Sequence, residues 1–115
     1  MLVSGVIRDT LAQEGWDITV LADGVSALAE IEGTEAYDLI VTDYELPGVN
    51  GVGLTRAARA SRHRRLTPII MFTASPVEGE ASAADVDSFL RRPEEVGRLV
   101  ETIREWLAGT RAGRG

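Results

Sequence analysis

The stretch Asp38-Leu39-Ile40-Val41-Thr42-Asp43-Tyr44-Glu45-Leu46-Pro47-Gly48-Val49-Asn50-Gly51 decides how this chain is read. Its first half is a short apolar run without polar alternation. That pattern predicts a strand over Asp38–Thr42 covered on both faces, as in a parallel sheet. The strand ends at a carboxylate, Asp43. Pro47-Gly48 and Asn50-Gly51 are turn signals, so residues 44–51 form an irregular connection before helical periodicity resumes over Val52–Arg62.

Toward the amino terminus, Asp17–Ala22 carries Ile18, Val20 and Leu21 and predicts a short strand. Asp23-Gly24 then turns the chain into a helix over Val25–Glu32, with Ala27, Leu28 and Ile31 on one side. Leu2–Gly15 places Val3, Val6, Ile7 and Leu11 at helical spacing, with Arg8, Asp9, Gln13 and Glu14 opposite and Gly15 as a stop. A strand over Met1–Ile7 would leave only Arg8–Glu14 for the helix after it, so the helix is preferred. Toward the carboxyl terminus, Pro68 introduces a buried strand, Ile69–Phe72, that ends at Thr73. Ser75–Asp85 is small, acidic and only weakly helical. Val86–Leu90 is a last strand, and Pro93 suits the first turn of a helix with the stripe Val96, Leu99, Val100, Ile103, Trp106 and Leu107. One domain over residues 1–108 and a disordered tail over 109–115 follow.

A chain of 115 residues with 44% apolar content closes one hydrophobic core. The net charge of -6 argues against a nucleic-acid partner, which calls for a clustered basic face. Arg62, Arg64 and Arg65 make only a short basic patch, read as a solvated helix end. Cys is absent, which excludes disulfides and thiol chemistry. No apolar run approaches the ~20 residues of a membrane span, so a cytoplasmic protein without a membrane partner is expected. All 12 basic residues are Arg and none is Lys.

Strands alternating with helices imply an α/β fold, a parallel sheet with right-handed crossovers and helices on both faces. Chemistry in such folds gathers at the carboxyl ends of the strands. That rule singles out Asp43, Thr73 and the residues after Leu90.

At these three places the chain resembles a known family. Residues 38–51 closely resemble the phosphorylation-site signature of response-regulator receiver domains (CheY-like), with Pro47 four residues and Gly51 eight residues after the acceptor Asp. Met71-Phe72-Thr73-Ala74 resembles the end of their fourth strand, and Ser88-Phe89-Leu90-Arg91-Arg92-Pro93 the end of their fifth. The resemblance implies a flavodoxin-like doubly wound sheet and a single-domain regulator of two-component phosphorelay signalling. It casts Asp43 as the phosphoacceptor, Thr73 as the switch hydroxyl and Phe89 as the switch aromatic. Arg92 stands at the family's Lys position. The implied partners are a histidine kinase or phosphotransfer protein and a downstream protein target, and the protein is not expected to be an enzyme. For Asp43 the plainer reading is a strand-end carboxylate closing an Asx-turn; for Phe89 it is a core residue.

Two departures bear on competence. Arg92 has a bulkier, planar cation than Lys. The family binds Mg²⁺ through the acceptor, here Asp43, the backbone carbonyl of the residue at Glu45, and an acidic pair ending the first strand. With a helix beginning almost at Met1, that first strand and its pair are missing, so Asp43 is expected to hold Mg²⁺ only weakly. A missing inner strand would leave unpaired edges, so the chain would close the gap, form a homodimer or be poorly stable. The alternative function is a degenerate (pseudo-)receiver, a protein-interaction module independent of phosphorylation. A metal-dependent phosphatase on a related fold is disfavoured because Glu45, not Asp, stands two residues after Asp43.

Overall fold

The computed structural model describes residues 1–4, 11 and 14–114, with side chains through residue 109. Five parallel strands form one sheet: β1 (Leu2–Ser4), β2 (Thr19–Leu21), β3 (Ile40–Thr42), β4 (Ile69–Thr73) and β5 (Ser88–Arg91), in the order β2-β1-β3-β4-β5. The helices described are α1 (Gly24–Glu32), α2 (Gly51–Ala60), α3 (Glu78–Ala83) and α4 (Val96–Arg114).

The first strand is present, which corrects the expectation of its absence. Leu2, Val3 and Ser4 pair with Thr19, Val20 and Leu21 on one side and with Ile40, Val41 and Thr42 on the other. Leu2 and Val3 are 1% and 0% exposed and point to opposite faces, Val3 into the core under α4 and Leu2 into the core under α1 and α2. The spacing of Val3, Val6, Ile7 and Leu11 fits a helix, but the open edges of β2 and β3 demand backbone partners, and Leu2–Ser4 supplies them. With those edges closed, the structural motive for a homodimer disappears. The rest of the expected Leu2–Gly15 helix lies mostly outside the described residues, although Leu11 is fully buried in the α4-side core.

Strand alternation sorts the core into layers. Val41, Ile70, Phe72 and Leu90 meet Leu99, Ile103 and Leu107 of α4, while Ile40 and Ile69 meet Ala27 and Ile31 of α1 and Leu54 and Ala58 of α2. A third cluster joins Met71 and Val52 to Ala81 and Ala84. Each such large apolar side chain stabilises the fold by about 1.5–3 kcal/mol relative to exposure. Asp23 caps α1 by accepting the Ser26 N–H, and Asn50 caps α2 by accepting the Gly53 N–H at 2.8 Å.

Several boundaries differ from expectation. The weakly patterned segment over residues 75–85 forms the six-residue α3. Pro93 lies before α4 rather than in its first turn, after a cis Arg92-Pro93 bond, and Val96 is 42% exposed. The helix α4 runs on through Gly109 to Arg114, across the segment expected as a tail. A glycine costs a helix interior only about 0.5–1 kcal/mol relative to Ala, too little to force a stop.

The basic patch also needs correction. Arg62 and Arg65 are exposed, but Arg64 is 1% exposed. Its Nη2 donates to the carbonyls of Glu30 and Gly33, both at 3.3 Å, and its guanidinium lies 5.1 Å from the Tyr37 ring centroid. The orphan carbonyls at the end of α1 attract a cation, which draws Arg64 inward.

Candidate functional site

Three strand ends meet at the carboxyl edge of the sheet. Asp43 follows β3, Thr73 ends β4 and Arg92 follows β5. Asp43 is held from several directions. Its N–H donates to the Ser4 carbonyl at 3.2 Å, so β1 fixes the backbone where β3 ends. Ser4 Oγ donates to Thr42 Oγ1 at 2.7 Å, and Thr42 Oγ1 donates to the Asp43 carbonyl at 2.9 Å. This buried relay of two hydroxyls lies at the end of β1.

Pro47 and Gly48 turn the loop back toward α1, with Gly48 at φ +89°, a conformation L side chains rarely adopt. Gly51 then brings the first turn of α2 against the acceptor: a Cβ there would lie 2.3 Å from the Asp43 carbonyl oxygen. The glycine eight residues after the acceptor is therefore a close-approach residue.

The Asp43 carboxylate is mostly buried, its side chain 10% exposed. Oδ1 accepts the Glu45 N–H at 3.3 Å, the Asx-turn expected of a strand-end carboxylate. Oδ2 accepts from Arg92 Nη2 at 2.6 Å. Arg92 reaches this point across the end of β4, where its guanidinium lies 5.9 Å from the Phe72 ring centroid. Its N–H donates to the Thr73 carbonyl at 3.0 Å, tying the ends of β4 and β5 together.

Thr73 is 1% exposed, and its Oγ1 accepts the Ser75 N–H at 3.2 Å, which orients the β4–α3 loop. Among the described residues that hydroxyl donates to no oxygen of the fold, which leaves its proton for another acceptor. Phe89 is half-buried and packs into the third cluster beside Met71, its register partner, so it belongs to that core. Glu45 is exposed.

The structure thus brings together Asp43 and Arg92 with the Thr73 end of β4, and sets Phe89 on the sheet face beneath α3. Sequence reasoning missed the Ser4–Thr42 relay. A hydroxyl ending an apolar run was its only signal.

Mg²⁺ demands near-octahedral oxygen coordination, usually with one or two carboxylates and several waters. Among the described residues, no group of three or more Asp, Glu, His or Cys side chains is placed to hold a metal. Among the described residues at these strand ends, the carboxylate of Asp43 is already paired to a guanidinium, and the end of β1 contributes a hydroxyl engaged with Thr42. Residues 1–8 contain no acid, and Asp9 lies outside the described residues. These residues do not fit a Mg²⁺ site.

Comparison with known proteins agrees with the geometry. The response regulator receiver domain model matches residues 1–104. The chain is 32% identical over 104 residues to the chemotaxis protein CheY of Pseudomonas aeruginosa, covering 87% of this chain and 83% of that protein. It is 35% identical over 100 residues to the sensory transduction protein RegX3 of Mycolicibacterium smegmatis, covering 84% of this chain but only 42% of that one. The chain thus spans about two fifths of the length of some curated relatives. Among solved structures, the receiver domain of a sensor histidine kinase from Pseudomonas aeruginosa, which holds a magnesium ion in its active-site cleft, superposes with a TM-score of 0.80 at 28% identity, covering 93% of this chain and 96% of that one. A CheY-like receiver from Methanospirillum hungatei superposes with a TM-score of 0.84 at 25% identity, covering 97% and 95%. The chain belongs to the response regulator receiver domain family of two-component signalling.

Proposed function

We propose that this receiver accepts a phosphoryl group on Asp43 from a phosphohistidine of a histidine kinase or phosphotransfer protein and thereby changes its affinity for a downstream protein. The observation that carries this reading is the convergence at Asp43 of a fixed backbone, a guanidinium and the Thr73 strand end. Asp43 is the nucleophile. Arg92 and the Thr73 hydroxyl meet the phosphoryl oxygens, and engagement of Thr73 pulls the β4–α3 loop toward β3. Phe89, half-buried beside that loop's helix, repacks in response. The protein is an acceptor in the cytoplasm rather than a turnover enzyme, and Mg²⁺ binding at Asp43 and the Glu45 carbonyl is weak at most. Incubation with a phosphorylated kinase, read by intact mass, is expected to give a phosphoryl adduct that Asp43→Ala abolishes. No adduct at all refutes the reading.

A phosphorylation-independent interaction module is the second reading, and the ion pair favours it, because a carboxylate already neutralised by Arg92 is a weaker nucleophile. Partner affinity unchanged by Asp43→Ala selects it; affinity lost with that change excludes it.

A further inference from the structure

Charge balance at the acceptor separates this chain from the family pattern it otherwise resembles. An acceptor carboxylate together with an acidic pair carries three negative charges, and a divalent metal plus a Lys offsets them. Here the end of β1 presents Ser4, whose neutral hydroxyl is engaged with Thr42, and Asp43 faces Arg92 Nη2 at 2.6 Å. Among the described residues, one carboxylate and one guanidinium face each other at these strand ends and balance without a metal.

We infer that Arg92 takes over the work of the metal, so that Asp43 accepts a phosphoryl group without Mg²⁺. This rests on the acceptor reading above. The guanidinium has five N–H donors in a planar fork, and the direct contact to Asp43 uses one nitrogen. The remaining donors suit the oxygens of a phosphoryl group in two-pronged fashion. An ammonium offers no comparable fork. Arg92 is anchored by its backbone N–H to Thr73 and lies over the Phe72 ring, while its side chain is still 33% exposed. It therefore has both a fixed root and room to follow charge from the carboxylate onto an incoming phosphoryl group.

With phosphoramidate as donor the step balances without a metal. The phosphoramidate nitrogen carries three protons in its zwitterionic form, so as an Asp43 carboxylate oxygen forms a bond to phosphorus and the P–N bond breaks, the electron pair leaves with nitrogen as neutral ammonia. The charge of the carboxylate passes to the acyl phosphate, where Arg92 meets it.

The test uses the full chain, phosphoramidate and intact-mass detection, with EDTA or with Mg²⁺. The expected result is an Asp43 adduct forming at comparable rates in both, with the EDTA rate falling about 10²-fold in Arg92→Gln, the scale of losing one charge-stabilising donor. An adduct that needs Mg²⁺ overturns the inference and leaves the acceptor reading standing. An Arg92→Gln variant that reacts at the wild-type rate in EDTA also overturns it. Failure to react under either condition, with the fold intact by circular dichroism, removes the acceptor reading and this inference together. Calorimetric titration of the unmodified wild-type chain gives an independent readout: flat heats with Mg²⁺ support the inference, and a saturable isotherm abolished by Asp43→Asn overturns it.

Discussion

Neutralising Asp43 tests the electrostatic reading of the site most directly, because the sign of the effect differs between two arrangements. In a cluster of carboxylates, Asp43→Asn would relieve repulsion and stabilise the fold. Here the carboxylate faces Arg92 at 2.6 Å, with side chains 10% and 33% exposed, so removing its charge removes an attraction. Two unit charges about 4 Å apart interact by about 4 kcal/mol at an effective dielectric constant near 20, whereas fully exposed pairs contribute about 0.2–1 kcal/mol. The partial exposure of Arg92 places the coupling between these limits, at roughly 1–2 kcal/mol. The assay is a double-mutant cycle of Asp43→Asn, Arg92→Gln and the double variant, read by urea unfolding at neutral pH. In thermal melts a coupling of that size corresponds to about 4–8 °C for a domain of this size. Raising salt to about 1 M shortens the screening length to about 3 Å, yet a pair this sheltered keeps most of its coupling. A coupling below about 0.3 kcal/mol, indistinguishable from additivity, or a stabilised Asp43→Asn variant refutes the argument.

Three further outcomes follow from other parts of the fold. Gly51→Ala drives a Cβ to within 2.3 Å of the Asp43 carbonyl oxygen, so the acceptor backbone must shift; phosphoryl-adduct formation is expected to fall while melting still shows a folded domain, and an unchanged adduct yield contradicts the close-approach role. Arg59 donates to the carbonyls of Thr67 and Asp85 and to Asp87 Oδ2, which also accepts the Ile69 N–H; Arg59→Ala is expected to lower stability in urea by about 2–4 kcal/mol through loss of charged hydrogen bonds. The Ser26 N–H and the Ser26 hydroxyl hold the Asp23 carboxyl below its ordinary 3.8, so its capping contribution is present above that pH and is lost as pH falls through the lowered value; Asp23→Asn should flatten the acid limb of the stability profile, and an unchanged limb speaks against the cap.

The loop from Asp43 to Gly51 was legible because its signals are local: an apolar run, a carboxylate, then Pro-Gly and Asn-Gly in succession. The same holds for β4, whose five buried residues follow Pro68, and for α1 with its Asp23 cap. Leu2–Ser4 was not legible, because three residues carry too little period to distinguish strand from helix, and their state is decided by β2 and β3, far away in sequence. Arg64 is buried for an equally remote reason, the carbonyls of Glu30 and Gly33. Asp87 was expected inside a strand, yet its carboxylate binds Arg59 and the Ile69 N–H, and β5 begins one residue later. For the site, the family resemblance named Asp43, Thr73, Phe89 and Arg92 as candidates, but the contact between Arg92 and Asp43 came only from the convergence of three strand ends.

Position and charge at the acceptor are supplied by different parts of the molecule. The position of Asp43 is fixed by neutral contacts: the Ser4 carbonyl on its N–H, the Thr42 hydroxyl on its carbonyl, the Glu45 N–H on its carboxylate and the close approach of Gly51. The balancing charge comes from Arg92, rooted on another strand and held to Thr73 through its backbone. Gly51→Ala therefore moves the nucleophile and leaves its counter-ion, whereas Arg92→Gln removes the counter-ion and leaves the nucleophile where it is. If the chain is a working acceptor, both changes impair transfer, and the Arg92 variant alone gains from added Mg²⁺, since only there does the carboxylate lack a cation. A chain retained solely as a binding module would tolerate the loss of Arg92 while still needing Gly51 to keep the first turn of α2 against the end of β3.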